Sequence, residues 1–384
     1  MATVTQRERM FGHTAPALVV LGVASLAVGA VFDPSRLWPN LLLVSFFALG
    51  IGLSAAVFMA LHFVSGAAWT VAFRRVSEAM VRTLPLGAAG IALVLALHPA
   101  MYPWVGESTM IGFKGTWLSL PFFWFRAALF LTLWVALAFA MVRTSQKQDL
   151  DDDSKYADRN VQLAAAFLVV FGLTFWIASV DWIMSLEPHW YSTVFGIYNF
   201  SGLFVSGIAV LILLVAGFRR GSPLNDFVRP DHLHDLGKLL FGFSCFWAYI
   251  WFCQYMLIWY ANIPEETVYY ARRQQGLWLP LFYLNFGLNW VIPFITLLPR
   301  SAKRNPVVLM RVAFVVLAGR WLDLYLLILP ASGGASVGFG VWELGLAAGV
   351  GGAFWMVASR AFRAAAPVPL NDQRLMQSLH YHSS

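Results

Sequence analysis

The sequence predicts an all-α, polytopic membrane protein with about ten transmembrane helices. Composition is the first reason. Of 384 residues, 59% are hydrophobic and only 12% are Asp, Glu, Lys or Arg, against about 45–50% apolar and about 25% charged in a soluble domain. Half the ordinary charge cannot coat a water-facing surface of this size, which excludes a cytosolic enzyme, a nucleic-acid-binding module and a disordered chain. The second reason is that apolar runs of roughly 20 residues, enough to cross a bilayer, recur along the whole chain. The third is that basic residues collect in alternate connections.

The first run, 14–32, follows Arg7 and Arg9; it exceeds the ~7–15 residues of a signal-peptide core and reads as a retained span. The second, 40–63, leads into Ser65–Arg82, where Trp69, Val71, Phe73 and Val76 alternate with Arg74, Arg75 and Glu78. That pattern predicts an amphipathic extension of the second helix along the interface. The third run, 83–101, holds His98, and the fourth, 121–142, holds Arg126 near its start. Asp149, Asp151, Asp152 and Asp153 follow beside Lys147 and Lys155, a solvated loop rather than a metal site. The fifth run, 161–181, ends on Asp181, and 193–217 is uninterrupted. Both cysteines, Cys245 and Cys253, lie in 237–261 with no CxxC or CxxCH, which argues against an iron–sulfur cage, covalent haem or a zinc ribbon. The last three runs are 277–298, then 307–330 with Arg320 and Asp323, then 340–359 with Glu343.

With ten spans, the termini and the connections after spans two, four, six and eight share one side. That side holds 20 of the 26 basic residues, Arg219, Arg220 and Arg300 among them. The other side holds four, Arg36, Lys114, Arg272 and Arg273, while Arg126 and Arg320 lie within spans. Basic residues favour the cytoplasmic side, so both termini are expected there. The net charge of +7 then reports orientation rather than an acidic partner.

An ionisable side chain in hydrocarbon costs roughly 2.5–3.5 kcal/mol on insertion scales and needs a partner or a function. With this orientation, Asp181, Glu187, His189, Glu265 and Glu266 fall towards the outer face, Arg320 and Asp323 lie past the middle of span nine, and His62 lies in the inner half. Such a bias suggests a half-channel or quinone-head pocket open outwards, against the plainer reading of helix-end charges reaching interfacial water. Arg320 and Asp323 share one helix face at spacing i,i+3. His62 and His98 stand at opposite ends of their helices, which disfavours a bis-histidine haem. Asp181 and Asp323 each precede a proline by seven residues, Pro188 and Pro330. Spans five and nine are parallel, so the pattern predicts tandem four-helix bundles, 40–181 and 193–330, within one membrane domain flanked by helices 14–32 and 340–359.

Two longer motifs carry a resemblance. The run Ala-Ser-Val-Asp-Trp-Ile-Met-Ser-Leu-Glu-Pro-His-Trp-Tyr-Ser-Thr over 178–193, and Trp-Tyr-Ala-Asn-Ile-Pro-Glu-Glu-Thr over 259–267, resemble the second quinone-binding-type membrane subunit, the F subunit, of alternative complex III. That complex is a bacterial quinol:electron-acceptor oxidoreductase, and the subunit is similar to the membrane anchor of polysulfide reductase, built from four-helix bundles. The span count and Arg74-Arg75-Val76 also fit. The resemblance implies a subunit of the bacterial inner membrane with no redox centre of its own and no covalently bound cofactor. Haem and iron–sulfur clusters are then expected only in partners: a paralogous quinone-binding subunit, an iron–sulfur protein and c-type cytochrome subunits. It also implies a role in proton conduction. Asp181, Arg320 and Asp323 are the expected path, with Glu187, His189 and Glu265 at its outer mouth and His62 at its inner end. If Arg320 pairs with Asp323, Asp181 is the more freely titrating acid. Three other readings stay open: a quinone-binding subunit that oxidises quinol, with His189 or His62 accepting a hydroxyl proton; a stand-alone secondary transporter; and a structural scaffold.

Overall fold

In a computed structural model, residues 2–107, 112–151, 155–219, 222–332, 338, 340–369 and 371–382 are described, with 2–13 described only as helical backbone. Asp152, Asp153 and Arg220, and the side chains of Arg7 and Arg9, therefore lie outside the described residues. No strand occurs among the described residues. Among the described residues, ten helices are long and apolar enough to cross a membrane: Thr14–Phe32, Pro34–Ser65, Val71–Leu97, Leu120–Gln148, Lys155–Leu186, Phe195–Phe218, Pro230–Ala261, Trp278–Leu297, Pro306–Ala331 and Val341–Arg363. We number these spans one to ten. Large apolar side chains such as Leu173, Phe252, Ile295 and Phe314 stand exposed on them, as a lipid-facing surface requires.

Local chemistry sets the breaks. Asp33 starts span two, its carboxylate accepting from the Arg36 N–H just ahead of Pro34. Asn305 caps span nine, accepting from the Val307 and Val308 N–H groups before Pro306. Both are polar N-caps with proline at the first helical position, where its missing N–H costs nothing.

Span two packs on span three, three on four, four on five, and five returns to two; spans six to nine close a second ring in the same way. The rings meet where spans two and six, two and nine, and five and six touch. Spans two, six and nine are accordingly the most buried. Spans one and ten form a tight pair set against span two. A Cβ on Gly22 would lie 2.5 Å from the Gly349 Cα, so the pair depends on small residues, in the manner of membrane helix dimers. The Gly345-x3-Gly349 spacing carries this in the sequence. At the start of span ten, buried Glu343 accepts from Arg36 Nε at 2.8 Å and Asn40 Nδ2 at 2.9 Å, fastening span ten to span two.

One element differs from expectation. Ser65–Arg82 does not continue the second helix along the interface. That helix stops at Gly66, in the left-handed region with φ of 67°, a conformation glycine adopts without a Cβ penalty. A short turn, Val71–Phe73, and the helix Arg74–Val81 then fold under the bundle with every residue buried. The charges that suggested an interfacial helix are neutralised internally instead: Arg75 pairs with Glu78 at 2.6 Å and with Asp149, and Arg74 pairs with Asp372. Of the acidic tract, Asp149 thus serves as a counter-ion, and Asp151 sits 3.6 Å from Lys155.

Residues 371–382 cross this same basic face. Asn371 Nδ2 donates to the Asp149 carbonyl at 3.1 Å, Ser378 Oγ donates to the Trp69 carbonyl at 3.0 Å, and Tyr381 donates to Asp235 at 2.5 Å. The segment touches connections from both rings.

Candidate functional site

Each ring buries one Asp–Arg pair. In the first, Asp181 near the end of span five accepts from Arg126 Nε at 2.7 Å and from Trp117 Nε1 at 2.9 Å. Trp117 belongs to the short helix Phe113–Trp117 before span four, and its carbonyl accepts from Arg126 Nη1 at 2.9 Å. The guanidinium packs against two aromatic rings set at right angles, its Cζ 4.1 Å from the Trp117 ring centre and 4.4 Å from that of Phe122. Asp181 thus has a cationic partner of its own.

The second pair draws on every helix of its ring. Arg320 and Asp323, both about 1% exposed, pair on span nine. The Asp323 carboxylate also accepts from Tyr198 on span six, from Asn285 Nδ2 on span eight at 3.0 Å, and from Trp247 Nε1 on span seven at 3.4 Å. Arg320 Nη2 reaches Asn199 at 3.1 Å. Gly202 makes room for the guanidinium, since a Cβ there would lie 2.4 Å from Nη1. Behind Asn285, Asn289 donates to it at 2.7 Å. Asn289 lies in the π-turn Gly287–Val291, a local widening that often marks functional positions in helices.

Beside Asp323 is a cavity of about 20 Å³ lined by Tyr198, Gln254, Tyr270, Arg273, Asn285 and Asp323, among others. One water needs roughly 10–15 Å³ and two to four polar partners, so the cavity fits a single water. Gln254 Nε2 donates to the Tyr270 hydroxyl at 3.3 Å, and Ser192 donates to Gln254 Oε1 at 3.3 Å. Burial, reinforced by neighbouring Tyr269, raises the Tyr270 phenol well above its ordinary pKa, so it stays neutral and accepts from Gln254. Arg273, on the far side of the cavity, donates to Glu187 at 2.7 Å and to the Leu326 carbonyl at 2.8 Å. Its guanidinium lies 3.5 Å over Tyr269, which stacks on Trp190 at 3.9 Å. The two sequence motifs are thus brought together: Glu187 and Trp190 come from the first, and helix Pro264–Arg273 starts in the second.

The remaining expected residues fall elsewhere. Exposed His189 lies 3.1 Å from Glu107. Glu265 is exposed in the first turn of Pro264–Arg273, apart from the cluster. His62 stands at the opposite end of the bundle, its Nδ1 2.5 Å from the Phe58 carbonyl, beside a separate cavity of about 120 Å³ shared with Arg74, Asp372 and Arg374. No group of three or more metal-ligating side chains occurs among the described residues. Tyr198, Asn285, Trp247 and Arg273 complete the Asp323 site and are not legible as a set in the sequence. Asn285 and Asn289, four apart in an apolar span, were its clearest signal.

Fold and site together define an all-α, multi-pass membrane protein with ten candidate spans and a buried ionic centre in each four-helix ring. No protein-family profile matches the chain, and no curated protein matches it.

Proposed function

We propose that this chain is an integral membrane subunit of a bacterial respiratory quinol:electron-acceptor oxidoreductase, and that its second ring passes protons between Asp323 and the outer face. Electron carriers, haem and iron–sulfur clusters, belong to partner subunits in this reading, and the basic face looks to the cytoplasm. The observation that carries it is the one-water cavity joining Asp323 to Arg273 and Glu187. The motif resemblance at 178–193 and 259–267 supports the complex.

A proton delivered to the cavity water can move by a hydroxyl relay. Tyr198 hands its proton to Asp323, to which it is already bonded, as it takes one from the water. Arg320 is paired with that carboxylate, and Tyr198 resets when the proton leaves. Arg273, which lines the cavity, also donates to Glu187, and that carboxylate leads on towards the outer face. The test is Asp323→Asn in the intact complex, with Glu187→Gln alongside. Both should assemble and transfer electrons, Asp323→Asn releasing half or fewer of the protons per electron in reconstituted vesicles. Unchanged proton release in assembled complexes of both variants would sink the proposal.

A further inference from the structure

A large concavity lies away from both ionic centres. A crevice of about 1780 Å³ opens between spans two, six, nine and ten, closed at one end by the start of span one. Its volume exceeds the roughly 300–1,000 Å³ of a small-molecule pocket, and its walls include Phe47, Leu214, Phe314, Leu317, Val350 and Phe354. Among the described residues, the hydroxyl or charged side chains lining it are Ser222, Ser359, Arg360 and Arg363. Ser222 follows span six, and the other three end span ten, so all four gather at the basic face. Arg360 and Arg363 are exposed and make no hydrogen bond or ion pair among the described residues.

We propose that this crevice is a binding site for an anionic diacyl phospholipid, its acyl chains along the apolar walls and its phosphate on Arg360 and Arg363. A bilayer does not leave an apolar crevice of this size empty, and hydrocarbon chains match the walls. The volume asks for more than one chain. The two arginines select the head: a quinone ring is neutral, and a zwitterionic lipid carries its own ammonium, whereas a phosphate diester with net negative charge needs external cations, which basic residues at the membrane surface supply. Arginine suits this role because its planar fork meets phosphate oxygens in pairs. This assignment is independent of the proton path, because none of its residues belongs to the Asp181 or Asp323 clusters.

The test uses the full-length chain, purified in mild detergent, delipidated and titrated with phosphatidylglycerol, phosphatidylcholine, menaquinone or inorganic phosphate, with binding read by native mass spectrometry. Phosphatidylglycerol should bind in preference to the other three. In Arg360→Gln/Arg363→Gln, whose side chains face solvent and leave the fold intact, its affinity should fall roughly tenfold. In Val350→Phe, which fills the crevice, binding should be lost. Equal binding of phosphatidylcholine, preferential binding of menaquinone, full competition by inorganic phosphate, or unchanged affinity in the double variant would each overturn the assignment. So would a lipid-free chain whose crevice is closed by a second copy.

Discussion

Replacing Arg126 by Leu tests how the first ring stores charge. Arg126 and Asp181 are 4% and 1% exposed, which puts their pair among buried ones, where removing a single partner costs about 3–5 kcal/mol. The loss includes the 2.7 Å bond to Asp181, the bond to the Trp117 carbonyl and the packing against two rings. An unfolding entropy of about 2.1 cal/mol/K per residue, applied to 384 residues, gives about 0.8 kcal/mol/K. The melting temperature should then fall by about 4–6 °C. That is a lower bound, because helices persist in detergent and the true unfolding entropy is smaller. Arg126→Leu/Asp181→Asn should recover at least half the loss, since a neutral Asn still accepts from Trp117 and leaves no buried charge. Thermal unfolding in mild detergent, followed by tryptophan emission, measures both. A single variant within about 1 °C of the parent, or a double variant melting as low as the single, would refute the reasoning.

Gly202→Ala should lower stability by about 1–3 kcal/mol, because its Cβ would stand 2.4 Å from Arg320 Nη1. Gly172→Ala, which meets nothing within 4 Å, should be neutral or slightly stabilising in the same melting assay. Acid should loosen the segment over the basic face. Burial opposes ionisation of Asp372, yet the Arg74 guanidinium and the Arg374 N–H hold its carboxyl below the ordinary range. A carboxyl with a depressed folded value stabilises fully above its unfolded value of about pH 4 and loses that contribution as pH falls through the folded one. Hydrogen exchange over 371–382 should therefore accelerate in strong acid, and Asp372→Asn should exchange fast already at pH near 7; acid-independent protection would contradict this.

The spans were legible because hydrocarbon demands about 20 apolar residues whatever the neighbours do, and a count of arginines and lysines orders the faces. Which charge meets which was not. Arg126 and Asp181 are 55 residues apart, and only helix packing brings them together. Arg320 and Asp323 were readable as a pair because one helical turn joins them, but Tyr198, Trp247 and Asn285 reach the same carboxylate from three other helices. The Ser65–Arg82 segment misled for a related reason. Amphipathic pattern cannot distinguish charges facing water from charges facing buried counter-ions, and Asp149 and Asp372 lie 74 and 298 residues from their arginines. Glu265 and His189 were grouped with Glu187 because all three fall towards the same face; Glu187 pairs with Arg273, whereas His189 lies beside Glu107 and Glu265 is exposed.

The segment that seals the basic face has an implication for biogenesis. Its tethers to Trp69, Asp149 and Asp235 all lie downstream of the tenth helix, so the ribosome delivers them only after these ten spans have been handed to the insertion machinery. Until then the Arg74 guanidinium has no Asp372 to meet, and the two halves are joined on that side by their helix contacts alone. Clasping of the two halves is thereby tied to synthesis of the segment that follows the tenth helix, and a nascent chain that stalls before it is left ajar where quality-control proteases can recognise it.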